Sequence, residues 1–119
     1  MVAMHEMSLA LSLLDTIEKS LEGKNVKKLR EITIEVGSLA MVNTEQLSFC
    51  FSIIAKGEIF SDMKLNIQKK KAVFRCISCQ KEVSSEELLS NCSFCGSSME
   101  FMSGDELILK RIKAEVEDA

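Results

Sequence analysis

The sequence predicts an α+β fold: two helices packed on a small mixed sheet of about three strands, with a cysteine-rich module inserted ahead of the last strand. Three observations carry that prediction. Apolar residues recur at helical spacing in two segments. They alternate with polar residues in three others. Four of the five cysteines fall in two Cys-x-x-Cys pairs placed before the final alternating segment.

The first helix is expected over residues 7–22. Ala10, Leu13, Leu14, Ile17 and Leu21 keep helical spacing, Asp15, Glu18 and Lys19 fall between them, and Gly23 and Asn25 stand where a helix should stop. Over residues 29–37 the period becomes two. Ile32, Ile34 and Val36 alternate with Glu31, Thr33 and Glu35 in a half-buried strand that ends at Gly37 and Ser38. A second helix starts near Asn43, with Gln46 three positions on as in a capping box. Leu47, Cys50, Phe51 and Ile54 form its apolar face, and Gly57 closes it. Met63, Leu65 and Ile67 mark the second strand, and Ile108, Ile112, Ala114 and Val116 the last. The expected division is an α/β domain over 1–70, completed by a strand within 104–119, and a module over 71–103. Both ends of that module must leave from neighbouring strands.

The 119 residues suffice for one compact domain with a small appendage, and 46% apolar against 28% charged residues describes a globular chain. A net charge of −3 gives no general attraction to nucleic acid or anionic membrane. Nothing at the start reads as a signal peptide, and no apolar run approaches the roughly 18 residues of a membrane span. The expected address is cytoplasmic, with no membrane partner, and there paired cysteines point to metal rather than to disulfides.

Cys76 and Cys79, twelve intervening residues, then Cys92 and Cys95 make two knuckles that supply a tetrahedral four-sulfur shell. That shell fits structural Zn(II), and four protein ligands leave no open position for catalysis. An iron site uses the same ligands, and spacing does not separate the two. Gly96 suits the turn that brings amides toward a sulfur, beside the small residues Ser78, Ser93 and Ser97. Between the knuckles only Val83, Leu88 and Leu89 are apolar, so metal must supply most of the local folding energy. Cys50, on a helix face, reads as a buried inert thiol. Met99 and Met102 read as gap-fillers of the module.

His5 is the sole histidine and stands in Met4-His5-Glu6, just ahead of the first helix. One reading is plain decoration of a helix start, where Glu6 suits the positive end of the dipole. The other is chemical. An imidazole beside a chain terminus, joined by the terminal amine and deprotonated amides, forms a nitrogen set suited to square-planar Ni(II) or Cu(II). Glu6 would add a carboxylate or hold the imidazole.

Met4-His5-Glu6-Met7-Ser8-Leu9 resembles the opening of the HypA family of hydrogenase nickel-incorporation proteins, which are nickel metallochaperones. The resemblance continues through Glu35-Val36-Gly37, the second helix with Phe49 and Phe51, the paired knuckles with Cys95-Gly96-Ser97, and Ser103-Gly104-Asp105-Glu106-Leu107. It implies that His5, Glu6 and the backbone near Met4 bind Ni(II) as transient cargo while the four cysteines hold zinc. It also implies delivery to the large subunit of nickel–iron hydrogenase with the partner GTPase HypB, and in some relatives service to urease. In the family the methionine before the histidine begins the chain, so its amine is open to nickel. Here Met1-Val2-Ala3 precede it, and Met4 offers an amide instead. The expectation is that translation begins at Met4 or that the three residues are an added scar.

Two other functional classes have some basis in the sequence. Lys69, Lys70 and Lys71 with Phe74 and Arg75 form a basic cluster, which suggests a nucleic-acid-binding ribbon. The acidic total and the lack of Trp and Tyr argue against a base-stacking surface. A protein-docking ribbon without a nickel role is the related alternative. An enzyme is not expected, because one histidine, a closed metal shell and the absence of a Gly-rich phosphate loop leave no catalytic constellation. The sequence does not decide whether the chain forms a homodimer.

Overall fold

The computed structural model describes residues 3–117, with side chains from residue 5 onward. The element order is α1 (Ala3–Ser20), β1 (Val26–Gly37), α2 (Thr44–Ile54), a 3-10 turn (Glu58–Phe60), β2 (Lys64–Lys70), β3 (Ala72–Cys76), β4 (Glu82–Ser85), β5 (Met99–Ser103) and β6 (Leu107–Val116). Two three-stranded sheets form, ordered β2-β1-β6 and β4-β3-β5. The contacts Lys28–Asp62 (2.6 Å) and Ser38 N–H to Lys70 O (2.8 Å) advance together along β1 and β2, so these strands run parallel, with α2 in the crossover. The contacts Gly37 N–H to Glu106 O and Glu117 N–H to Asn25 O run in opposite senses, so β6 is antiparallel to β1. The expected helices on a mixed sheet with an inserted module are what the chain forms.

The chain divides into two compact units. One comprises the segment up to Ile34, Val42–Ile67 and the segment from Leu109 onward. The other comprises Glu35–Met41 and Gln68–Ile108. The sequence reading expects the module at 71–103; the second unit also takes in the end of β1 with the turn after it, the end of β2 and the start of β6.

In the first unit, Ala10, Leu13 and Ile17 of α1, Leu47, Cys50 and Phe51 of α2, and Leu29, Ile32 and Ile34 of β1 are buried. Helix α1 begins at Ala3, ahead of the expected residue 7, so His5 and Glu6 lie inside its first turn. The reason is visible in the spacing. Glu6, Ala10, Leu13 and Ile17 form one buried stripe, and its first member is a carboxylate that an apolar count overlooks. At α2 the cap holds as expected, with Asn43 Oδ1 accepting the Gln46 N–H at 3.0 Å. The helix ends at Ile54, and Gly57 instead starts the 3-10 turn with φ +113°. In β6 the expected inner face is corrected. Leu107, Leu109, Ile112 and Ala114 are half-buried while Ile108 and Val116 are exposed, so the burial pattern changes phase across the exposed pair Lys110 and Arg111.

The second unit is stitched by antiparallel pairing of β3 with β4 and β5, in which Phe74 stands opposite Val83 and Phe101. Phe74 and Phe101 meet edge to face at 5.9 Å. Two glycines close its other end. A Cβ on Gly104 (φ +117°) would come within 2.5 Å of Ala72 Cα, and one on Gly37 within 2.2 Å of Gly104 O. That crossing is the physical content of the Val36-Gly37 and Ser103-Gly104-Asp105 signatures. Among the described residues no helix is long and apolar enough to cross a membrane.

Candidate metal centre

The two Cys-x-x-Cys segments fold into matching turns. In the first, Cys76 N–H donates to Lys81 O, and Gln80 N–H donates back to Cys76 O. In the second, Cys92 N–H donates to Ser97 O, and Gly96 N–H donates back to Cys92 O. The fourth residue after the leading cysteine takes positive φ in both: Gln80 at 66° and Gly96 at 80°. Each turn aims amides at its leading sulfur. Ser78 and Cys79 N–H donate to Cys76 Sγ, and Phe94 N–H to Cys92 Sγ, all at 3.4 Å.

These turns bring all four cysteines together. Their Sγ atoms lie within 4.8 Å of one another, with Cys76–Cys95 at 3.4 Å and Cys79–Cys92 at 3.8 Å. Tetrahedral Zn–S bonds of about 2.3 Å imply S···S edges of about 3.8 Å, so the donor set fits one zinc-sized ion. Cys76 and Cys92 are buried, and Cys79 and Cys95 are exposed. The amide and hydroxyl of Ser97, with the Cys76 thiol, bring the Cys95 thiol down to about 6. The amides of Cys95 and Phe94 also lower Cys92. Cys79 lies at the other extreme. The Lys81 amide pulls it down, but desolvation and the three neighbouring thiols push it up to about 11. Four sulfurs this close cannot all carry charge without a cation among them. The cluster can therefore hold a tetrahedral ion in a closed shell.

The other predicted residues lie in the first unit. His5 is exposed on the first turn of α1, whereas its neighbour Glu6 is 1% exposed. Glu6 Oε2 accepts the Asn43 N–H at 3.1 Å, which places a carboxylate at the positive end of α2. Among the described residues, Glu6 Oε1 is buried with no hydrogen-bond partner. Asn43 was legible as a cap, but its backbone contact to Glu6, 37 positions away, had no signal in the sequence. Met4 is helical in backbone, and its side chain lies outside the described residues, as do Met1 and Val2. Phe74 of the basic cluster is buried and offers no stacking face. Met102, expected as a gap-filler, is 41% exposed.

Comparison with known proteins agrees with this layout. The family model described as "Hydrogenase/urease nickel incorporation, metallochaperone, hypA" matches residues 4–114. The hydrogenase maturation factor HypA of Archaeoglobus fulgidus is 36% identical over 113 residues, covering 95% of this chain and all of the relative. That of Methanocaldococcus jannaschii is also 36% identical, over 124 residues, with 97% and 100% covered. The fold matches the solution structure of the Ni metallochaperone HypA from Helicobacter pylori with a TM-score of 0.69 at 19% identity, covering 94% of this chain and 98% of that one. A match over nearly the whole length, together with a four-cysteine cluster built as the spacing requires, establishes that the chain belongs to the HypA family of nickel metallochaperones for hydrogenase maturation.

Proposed function

We propose that this chain binds Ni(II) at its first helical turn and hands it over during assembly of nickel–iron hydrogenase, while its four cysteines hold a structural zinc. The observation that carries the nickel reading is the divergence of two adjacent residues, His5 outward and Glu6 inward with one oxygen unpartnered among the described residues. An exposed imidazole is open to metal without unfolding the helix. The first four N–H groups of a helix have no partner within it, so amide nitrogens around Met4 to Glu6 can become donors without loss of a helical hydrogen bond. Glu6, anchored by Asn43, ties this turn to α2 and so holds the imidazole-bearing turn in place. Few side-chain ligands at an exposed turn suit cargo that must leave again.

When bound, zinc supplies a rigid cross-link between the two knuckles. The reading assigns nickel handling to the first unit and docking to the second, in the cytoplasm. HypB and the hydrogenase large subunit are the partners the family implies, with urease a further recipient.

The test is calorimetric titration of Ni(II) into zinc-loaded protein, as the full chain and as a chain beginning at Met4, each beside its His5→Ala variant. One site lost with His5 supports the reading, and the Met4 start should bind more tightly because it presents an amine. Equal binding with and without the imidazole removes nickel from this turn.

A further inference from the structure

We infer that Lys81 and Phe94 form a clasp across the two knuckles, which offsets the charge of the four-sulfur shell and slows the departure of its metal. This role rests on the zinc reading of the cluster and concerns what keeps that ion in place.

The Lys81 ammonium stands over the Phe94 ring, 3.9 Å from its centroid, well inside the roughly 6 Å reach of a cation–π contact. Lys81 follows Cys79 by two positions, and Phe94 immediately precedes Cys95. The contact therefore joins the arms of the knuckles that bear the two exposed ligands. Backbone contacts join the knuckles elsewhere, beside the buried ligand Cys76. There Ile77 N–H donates to Ser98 O at 3.1 Å, and Cys76 itself pairs with Met99. Phe94 stays 66% exposed, so burial of its own ring is not what the position gains.

Charge gives Lys81 a second role. Four thiolates outnumber the charge of one Zn(II), so the filled shell is anionic. From Cys76 to Met99, Lys81 is the sole cation, against Glu82, Glu86 and Glu87. Arg75 does not take its place. Strand alternation sets it on the face of β3 opposite Cys76, in register with Glu82 and Glu100 and 3.7 Å from the Glu100 carboxylate. The Phe94 ring thus holds the module's available cation between the knuckles.

Zinc leaves a closed shell by stepwise replacement of its thiolates, and an incoming ligand first meets those it can reach, here Cys79 and Cys95. Replacing either one lets the knuckles part on that side. The clasp resists the parting because the ammonium must come off the ring for it to proceed.

Transfer of zinc from the reduced, zinc-loaded full chain to an excess of a chromogenic chelator tests this by its rate. Lys81→Met keeps the stem without the charge, and Phe94→Leu keeps an apolar side chain without the ring. Each should speed release about two- to fivefold. The double variant should release zinc no faster than Lys81→Met alone, since the clasp is already open there. Phe94→Trp should slow release, because indole is the stronger partner for a cation, and should do so only where Lys81 is present. A side chain that merely packs would not give that dependence, and the arm stays informative should Phe94→Leu fail to load. A parent that takes up no zinc refutes the reading of the cluster, and the clasp falls with it. A parent that holds zinc overturns the clasp alone if the single variants release it at the parent's rate, if their effects multiply in the double variant, or if Phe94→Trp acts equally with and without Lys81.

Discussion

The two units of this chain are held together by different physics. In the first, Ile17, Leu29, Ile32, Ile34, Leu47 and Phe51 are each at most 1% exposed, drawn from two helices and the sheet. In the second, the buried apolar set is Val36, Ala72, Phe74, Cys76 and Cys92, and two of those five are metal ligands. Several of its large apolar residues, among them Ile77, Leu88 and Phe94, stay exposed. A core of aliphatic and aromatic side chains folds by removing area from water. A core built around four sulfurs needs its ion, because the strands around it bury too little to offset their own ordering.

The largest expected effect separates the units on this ground. Metal binding of the structural-zinc type supplies about 10 kcal/mol or more of local folding energy. Chelation, or Cys76→Ala, should therefore abolish zinc content and strip hydrogen-exchange protection from β3, β4 and β5 while α1 and α2 keep theirs. Amide exchange with mass spectrometry measures both. Loss of protection in the helices as well would show that the metal supports the whole chain, and the comparison would fail.

The converse perturbation is next in size. Phe51 is 1% exposed and meets Phe60 edge to face at 6.4 Å. Phe51→Ala should cost about 3–5 kcal/mol in the first unit, as large-to-small changes in packed cores do. Zinc content per chain should not change. Denaturant unfolding followed by helical circular dichroism gives the first quantity and metal analysis the second.

How much of this was legible in the sequence follows the same division. The first unit was readable because period and burial coincide: Leu47, Cys50 and Phe51 were expected inside and are. It failed at Glu6, where a polar residue occupies a core position. It failed again at Lys110 and Arg111, where the burial pattern changes phase and Ile108 is left exposed. The metal cluster was readable from spacing alone, because two tight turns need only their own few residues to aim their sulfurs. The strands β4 and β5 were not. They are four and five residues long, too short for a period to register, and are fixed by pairing with β3. The recruitment of Glu35–Met41 to the second unit depends on Gly37 meeting Gly104, a contact across 67 positions with no local trace.

The smallest expected effect sharpens the comparison inside the second unit, between its two knuckles. Gln80 and Gly96 hold equivalent places, both with positive φ, yet only one is glycine. A left-handed conformation costs a residue with a Cβ about 1–2 kcal/mol. Gln80 bears that cost and recovers part of it through its side-chain amide, which donates to Ile77 O at 3.3 Å. Gln80→Gly relieves the backbone but also frees the unfolded chain, an opposing term of about 0.4–1 kcal/mol, so the net change should stay within about 0.5 kcal/mol. Gly96→Gln should be the worse exchange, costing about 1 kcal/mol, because the strain it adds exceeds what the lowered unfolded-state entropy returns. A Cβ at Gly96 meets nothing within 4 Å, so that cost belongs to the backbone alone. Competition for zinc against a chelator ranks the two variants against the parent. If Gly96→Gln retains zinc as well as the parent does, backbone strain is not what distinguishes the knuckles, and the glycine is there for access to Cys95 instead.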